Sequence, residues 1–520
     1  MVTEIRHRMQ APATNTVYRL SYAAALSAGI VEVLAFSPFD RSLLALPCWL
    51  VLALLWQYLP PKRALLCGFY YGLGKFGFGI SWVYVSMHDV GGLGWPIAGM
   101  ITLALVLLLS LFPSLLGYLL AQWTPQARWQ RPMIGLPTLW ILTEWMRSWL
   151  FSGFGWLNSG YTQLDLPLEG WAPIVGVLGV GALLVASSGA MAASLTSLWQ
   201  RNRLSAILAP LLLPTFLWLT GEGLRHISWS HPDGEPLRVA LIQGNVEQHL
   251  KWDEQQFLQT LVDYRNLTAQ HWDKDLIIWP EAAIPALYAN VERHYIRPLM
   301  EQAKASQTAL IIGVMDQPQP DGPVYNAMLL LNGEQTFYYK HHLTPFGEAF
   351  PVPPLIRQYL RMMNLPYSDL GQGSWQQHTL MLDQFRIAPT ICYEILFGAQ
   401  VLRHFPESNL LVNISNDAWF GDSLAPWQHF QIARMRSLET ARPMIRATNT
   451  GITALIDSHG RVAKQLPPFQ QSVLSGAVEP RTGSTPYMYW GDKFAVGFAI
   501  AGLLWMLYQT FVVSRAKSLL

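Results

Sequence analysis

The sequence predicts two joined modules: an α-helical polytopic membrane domain with eight transmembrane helices, and a water-soluble α/β layered domain inserted between its seventh and eighth spans. Three observations lead there. Only 13% of the 520 residues are charged and 51% are hydrophobic, whereas soluble domains carry about 25% charged residues. The charge is also uneven: residues 21–220 hold 15 charged side chains and residues 221–490 hold 45. Finally, the charge-rich part alternates short β-branched runs with helix-like stretches, the pattern of a layered α/β domain. Disordered, coiled-coil and nucleic-acid-binding chains all need more charge, and a net charge of +2 offers no polybasic footprint.

Crossing about 30 Å of hydrocarbon takes about 20 mostly apolar residues, because lipid leaves exposed backbone groups unsatisfied. Seven candidate spans precede residue 222: Leu20–Phe36, Leu43–Leu59, Ala64–Val85, Trp95–Leu120, Met133–Leu150, Ala172–Leu198 and Leu204–Thr220. An eighth, Phe494–Val513, follows the charged region. The expected division is therefore 1–222 for the membrane domain, 223–488 for the soluble domain, and 489–520 for the last helix and its tail.

With Met1 in the cytoplasm, the inner flanks collect Arg6, Arg8, Arg19, Lys62, Arg63, Arg128, Arg131, Arg201, Arg203, Arg515 and Lys517. The outer flanks hold only Arg41, Arg147, Arg225 and Lys493. The positive-inside rule then places both termini in the cytoplasm and the soluble domain outside. Further spans follow the first one directly, with no clear small-residue cleavage site between, so it reads as an anchor rather than a cleaved signal.

Intramembrane charge is costly. Glu32 and Lys75 either pair or line a polar cavity, and Glu144 and Arg147, three residues apart, sit on one helical face. Gly68, Gly72, Gly74, Gly77 and Gly79 predict close helix packing in the third span.

Of three cysteines, Cys48 and Cys67 lie in apolar spans and only Cys392 lies in the exported domain. A disulfide framework is impossible there, so an unpaired thiol in an oxidising compartment asks for a reason. The predicted strands are Leu237–Gln243, Leu276–Trp279, Ala309–Val314, Arg386–Ile391, Leu410–Ile414, Ile452–Ile456 and Val473–Val478. Helices are expected over Glu254–His271, Tyr295–Ser306 and Trp427–Ala441. Glu281 follows Leu276–Pro280, Lys340 follows Phe337–Tyr339 and Cys392 follows Arg386–Ile391, and strand ends of layered sheets are where reactive groups gather. A cysteine, a carboxylate and an ammonium form a workable acyl-transfer set. The carboxylate takes the thiol proton, the ammonium lowers the thiol pKa and binds the oxyanion, and the thiolate attacks. Phe350–Trp375, proline-rich and oily, reads as a functional loop able to dip into the membrane interface.

The surrounding strings carry a resemblance. Ile278-Trp279-Pro280-Glu281, the run from Lys340 to Glu348, Ile391-Cys392-Tyr393-Glu394 and the run from Asn413 to Gly421 are similar to those of the nitrilase (carbon–nitrogen hydrolase) superfamily, with its Glu-Lys-Cys triad. Seven spans before such a domain and one after it resemble the apolipoprotein N-acyltransferase family, as do Ala35-Phe36-Ser37-Pro38, Gly155-Trp156-Leu157 and Lys251-Trp252-Asp253. The resemblance implies an α-β-β-α sandwich in a bacterial inner membrane, facing the periplasm and working without a cofactor. It implies acyl transfer from the sn-1 position of a phospholipid, phosphatidylethanolamine being the expected donor, through a Cys392 thioester. The acceptor is the α-amino group of an apolipoprotein's N-terminal diacylglyceryl-cysteine. Glu281 maps onto the general base and Lys340 onto the oxyanion-binding residue. Glu348, Tyr393 and Glu394 map onto supporting positions, and Trp156, Trp252 and Trp427 onto aromatic positions that place substrate or loops.

The residues leave two other readings open. A membrane-tethered amidase or nitrilase would use the same triad on a small C–N substrate, although anchoring alone needs one span rather than eight. A polytopic binding scaffold would have no use for the triad. His341, His342 and His429 lack metal-ligand spacing, and neither a Walker loop nor a dinucleotide fingerprint is present.

Overall fold

The computed structural model describes residues 15–124, 129–249, 251, 254–345, 347–349 and 370–518. Trp252 and residues 350–369 of the Phe350–Trp375 loop lie outside these described residues.

Every expected span corresponds to helix, yet only four helices among the described residues are long and apolar enough to cross a membrane. They are Trp95–Trp123, Pro167–Trp199, Leu204–Leu224 and Lys493–Thr510. The others are shorter or more polar. Ala45–Tyr58 has 14 residues and Leu136–Arg147 has 12; Asn15–Val33 carries Glu32, and Pro61–Gly79 carries Lys62, Arg63 and Lys75. Large apolar side chains such as Met100, Leu111, Leu212, Leu219 and Phe498 point outward from the long helices, as a lipid-facing surface requires.

Glycines let these helices touch. A Cβ on Gly68 would meet the Pro113 carbonyl oxygen at 2.1 Å, and one on Gly74 the Leu26 oxygen at 2.2 Å. Gly72 and Gly79 are similarly crowded, while Gly77 is not.

The buried charges are paired inside the bundle. Lys75 donates to Glu32 Oε1 at 3.1 Å, and the same carboxylate accepts from Ser159 Oγ at 2.6 Å, Trp49 Nε1 at 3.1 Å and the Tyr71 hydroxyl. Removing one member of a buried pair strands the other, at about 3–5 kcal/mol. Lys75→Met is therefore expected to lower the thermal midpoint in detergent, and adding Glu32→Gln should recover part of the loss. An unchanged midpoint in Lys75→Met would contradict this.

Two flank arginines do structural work instead of facing water. Arg131 is buried and donates to the carbonyls of Trp56, Gln57, Ala121 and Thr124, satisfying the C-terminal ends of two helices. Arg147 pairs with Glu144 and also holds the carbonyls of Phe154 and Trp156. It thereby ties down the loop that leaves this helix toward the second module.

The second module is a pair of sheets. Its strands are β1 (Ser230–Pro232), β2 (Leu237–Gln243), β3 (Leu276–Ile278), β4 (Ile284–Leu287), β5 (Ala309–Asp316), β6 (Tyr325–Leu331), β7 (Gln335–Tyr339), β8 (Leu380–Leu382), β9 (Phe385–Ile391), β10 (Leu410–Ser415), β11 (Met444–Thr448), β12 (Ala454–Ile456), β13 (Val462–Gln465), β14 (Ser472–Val478) and β15 (Arg481–Gly483). One sheet has the order β14-β2-β3-β5-β6-β7, with β4 beside β5; the other has β13-β12-β11-β10-β9-β8. β1 and β15 form a small separate pair.

Alternation sorts the side chains. Val239, Leu241 and Ile278 of the first sheet meet Ile387, Val412 and Ile414 of the second in one apolar layer. On the first sheet's other face, Ala240, Ile242 and Ile277 pack on Leu261, Tyr264 and Leu299 from the helices Glu254–Ala269 and Arg297–Ser306. On the second sheet's other face, Ala388, Leu411 and Met444 pack on Phe430 and Ala433 of the helix Ala425–Thr440. The result is an α-β-β-α sandwich. The helix Ala425–Thr440 belongs to the same apolar cluster as Val175, Val177 and Trp140 of the membrane module, so the two modules share a core. Glu439 secures the joint by accepting from the Val177 N–H at 2.6 Å.

Candidate active site

Strand direction gathers the three predicted residues. β2, β3 and β5 run parallel, and two antiparallel steps through β6 return β7 to that same direction. Glu281, beyond β3, and Lys340, directly after β7, therefore leave the sheet at the same edge. In the second sheet β9 and β10 run parallel, so Cys392 and Asn416 also leave at one edge. The two edges meet, because the Asn416 N–H donates to Glu281 Oε2 at 2.7 Å.

Glu281 is buried and fully engaged. Its Oε1 accepts from Lys340 Nζ at 3.1 Å and from Asn326 Nδ2 at 2.7 Å. Lys340 Nζ also pairs with Glu348 Oε2 at 2.7 Å, and Asn326 Nδ2 reaches Glu348 Oε1 at 2.8 Å. Burial alone would lower the Lys340 pKa, but the two carboxylates outweigh it and hold the amine firmly as ammonium. Burial pushes the Glu348 carboxyl up, yet Lys340 and the Thr344 N–H bring it below the ordinary carboxylate range.

Cys392 opens a short 3-10 turn directly after β9, with φ at +50°, and is only 8% exposed. The expectation that the ammonium lowers its pKa is met only in part. Burial and the Glu281 charge push the thiol up by more than the Lys340 charge pulls it down. Cys392 thus rests as a thiol rather than a preformed thiolate, and its ionisation would call for a base at hand.

The other predicted positions fall into different surroundings. Glu394 makes no contact with the Lys340 ammonium. It accepts from the N–H groups of Ile391 (2.8 Å), His341 (2.6 Å) and His342 (3.2 Å), and from Tyr338 and Gln400. It thereby stitches the Cys392 turn of one sheet to the Lys340 turn of the other. The Tyr393 hydroxyl donates to the Gly153 carbonyl at 2.9 Å, so the residue beside the cysteine is anchored to the membrane module's loop. Trp156 is wholly buried; its Nε1 donates to Gln428 Oε1 at 2.6 Å and its ring lies against Trp82 and His429. Trp427 is half-buried in the shared apolar core.

Several residues at the site have places that the sequence did not assign, even where they stand in a quoted string. Asn326 bridges the two carboxylates, and the only signal for it is a polar side chain inside an otherwise apolar strand. Lys251 is buried with Nζ 3.4 Å from the Glu281 carbonyl oxygen, and burial brings its pKa down to about 8. Ser415, Asp417, His429 and Arg446 form a buried group behind Cys392. Taken together, a fixed carboxylate, a locked ammonium and a thiol on a sharp turn can deprotonate a thiol, attack a carbonyl carbon and stabilise the oxyanion.

Comparison with known proteins covers both modules. Residues 238–487 match the carbon-nitrogen hydrolase family, and residues 28–190 match the apolipoprotein N-acyltransferase N-terminal domain. A protein of Methylococcus capsulatus named apolipoprotein N-acyltransferase is 41% identical over 481 residues, covering 92% of this chain and 94% of its own. One of the same name from Nitrosomonas europaea is 39% identical, covering 94% of this chain and 97% of its own. Among solved structures, a CN-hydrolase superfamily protein from Xanthomonas campestris aligns with 47% of this chain and 91% of its own, at 18% identity and a TM-score of 0.35.

Proposed function

Because the chain belongs to the apolipoprotein N-acyltransferase family, we propose that it moves an acyl chain from the sn-1 position of a phospholipid, through a Cys392 thioester, to the α-amino group of an apolipoprotein's N-terminal diacylglyceryl-cysteine. The product is the mature triacylated lipoprotein. The observation that carries this reading is the hydrogen-bonded Glu281–Lys340–Glu348 group beside a buried cysteine, placed where the two modules share a core.

In the first half-reaction Glu281 takes the Sγ proton as sulfur attacks the ester carbonyl carbon. Lys340 neutralises the oxyanion. Collapse expels the glycerol oxygen, which takes the proton from Glu281 and leaves as lysophospholipid. In the second half-reaction the acceptor amine attacks the thioester carbonyl and Glu281 receives the amine proton. The amide forms, and the thiolate leaves and is reprotonated. A thioester suits this order, since an amine attacks it more readily than an oxygen ester and water is easier to outcompete.

Both substrates are lipids, and drawing an acyl chain into water costs about 0.8 kcal/mol per CH₂. That cost is the reason to hold the sandwich in a membrane. We assign residues 1–222 to the membrane domain, 223–488 to the catalytic domain and 489–520 to the last helix and tail. In this assignment eight helices span the bacterial inner membrane, both termini are cytoplasmic and the sandwich is periplasmic. Phosphatidylethanolamine is the assigned donor, and Glu348 and Glu394 support the ammonium and the nucleophile turn.

The test is transfer. Full-length enzyme given phospholipid labelled in its sn-1 chain and a synthetic diacylglyceryl-cysteinyl peptide should acylate the peptide's amine and yield one lysophospholipid per transfer. Release of ammonia from small amides without lipid turnover would favour a tethered amidase instead.

A further inference from the structure

A buried polar group behind the nucleophile is left unused by the chemistry above. Asn413, Ser415, Asp417, His429 and Arg446 are all 0% exposed. His429, on the helix Ala425–Thr440, places Nε2 3.2 Å from the Cys392 carbonyl oxygen. Its Nδ1 lies 3.0 Å from Asp417 Oδ1 and 3.1 Å from Arg446 Nη2. Arg446 Nη2 also donates to Asp417 Oδ2 at 3.0 Å, and the Ser415 hydroxyl donates to Asp417 Oδ1 at 2.7 Å.

Proton accounting fixes the direction of the contact with Cys392. A carbonyl oxygen only accepts, so the hydrogen must be on Nε2. If Nδ1 is bare, it accepts from Arg446. If it is protonated, it donates to Asp417. Both states leave the Nε2 hydrogen on the Cys392 carbonyl, and burial with the Arg446 charge favours the neutral ring.

The turn needs such a partner. Cys392 is a non-glycine residue at φ +50°, a conformation that persists only where its surroundings over-determine it. We propose that His429 is a positioning residue for the nucleophile: its Nε2–H holds the Cys392 carbonyl, and so the left-handed turn that aims Sγ at the ester carbon. Asp417 and Arg446 hold the ring from behind. Trp156 and Phe420 cover it, with centroids at 5.5 and 6.1 Å, so a side chain of the membrane module rests on the residue that sets the nucleophile. This inference rests on the reading of Cys392 as the nucleophile.

The experiment compares His429→Asn with His429→Gln in the full-length enzyme. The glutamine amide nitrogen reaches the place of Nε2, and the asparagine amide falls short of it. The readouts are the single-turnover rate of acyl-enzyme formation from labelled phospholipid, the KM for that lipid and the thermal midpoint. A parallel measurement follows alkylation of Cys392 by iodoacetamide without lipid, with Cys48 and Cys67 replaced by alanine. His429→Asn should slow acylation by about 10- to 100-fold, the effect of one lost buried hydrogen bond, with KM little changed. It should slow alkylation as well. His429→Gln should recover most of both rates, although the two midpoints are alike.

Acylation by His429→Asn at the wild-type rate would overturn the inference. So would equal losses in both variants that track equal falls in midpoint, the pattern of a merely structural role. A wild-type enzyme that carries no acyl group on Cys392 would instead refute the thioester reading, before any variant is compared.

Discussion

Cys392→Ala is expected to form no acyl-enzyme and to transfer no acyl chain, a loss on the order of 10⁶-fold, the scale reached when an enzyme's nucleophile is removed. The expectation follows from the surroundings of the sulfur. Glu281 is held by Lys340, Asn326 and the Asn416 N–H, so the proposed base is aimed at one place and cannot swing to activate a distant group. The Ser415 hydroxyl already donates to Asp417 and is not free to take over. Cys48 and Cys67 are buried among the helices of the membrane module, far along the chain from the sandwich. Replacing both should leave transfer intact. Mass-spectrometric counting of acylated peptide checks both variants. Transfer by Cys392→Ala above about 1% of wild type would move the nucleophile elsewhere, because that is far more than binding and oxyanion contacts retain once a nucleophile is gone.

Lys340→Met is expected to block the same step for a different reason. It removes an oxyanion partner worth about 3–4 kcal/mol, or roughly 10²- to 10³-fold in rate. It also leaves Glu281 and Glu348 facing each other across Asn326 without the cation between them. Two like charges so placed do not both stay ionised, so the pair takes up a proton and Glu281 is no longer held free to accept one from the thiol. The thiol loses the ammonium that pulls its pKa down while burial keeps pushing it up. All three effects slow acylation, and none of them acts on the binding of the lipid tails. The loss should therefore appear in the single-turnover rate and little in KM. Near-normal acylation by this variant would mean that the oxyanion is stabilised elsewhere.

Much of this site was legible before any coordinates, for a specific physical reason. Glu281, Lys340 and Cys392 each terminate a short β-branched or aromatic run, and parallel strands deliver their ends to one edge. The seven predicted strands appear within about two residues, since alternation is a local property. Two central strands escape that pattern: β6 carries Asn326 beside its leucines, and β11 places Arg446 in the middle of a buried run. Both polar residues belong to the site, where local rules are expected to fail.

Contacts between distant positions were illegible. The Glu32–Lys75 pair was one of two options the sequence offered, but Lys75 also meets Ser159, and Trp156 meets Gln428 across the module boundary. No spacing rule encodes such pairs. The same limit affects span counting. Ala45–Tyr58 and Leu136–Arg147 are short, and Pro61–Gly79 carries three basic residues and many glycines; tertiary packing in the bundle, rather than length and apolarity, accounts for them. The run from Asn413 to Gly421 was visible as a string, but its work was not. Its Asn416 N–H holds the Glu281 carboxylate, and its Asp417 backs the histidine behind Cys392.

The thioester itself tests the central claim most directly. Full-length enzyme incubated with excess phospholipid and no acceptor should be isolated with one acyl group on the peptide containing Cys392. Hydroxylamine should remove it, and a diacylglyceryl-cysteinyl peptide should take it up as an amide. An enzyme that acylates that peptide while no hydroxylamine-sensitive acyl group ever appears on Cys392 would contradict the account.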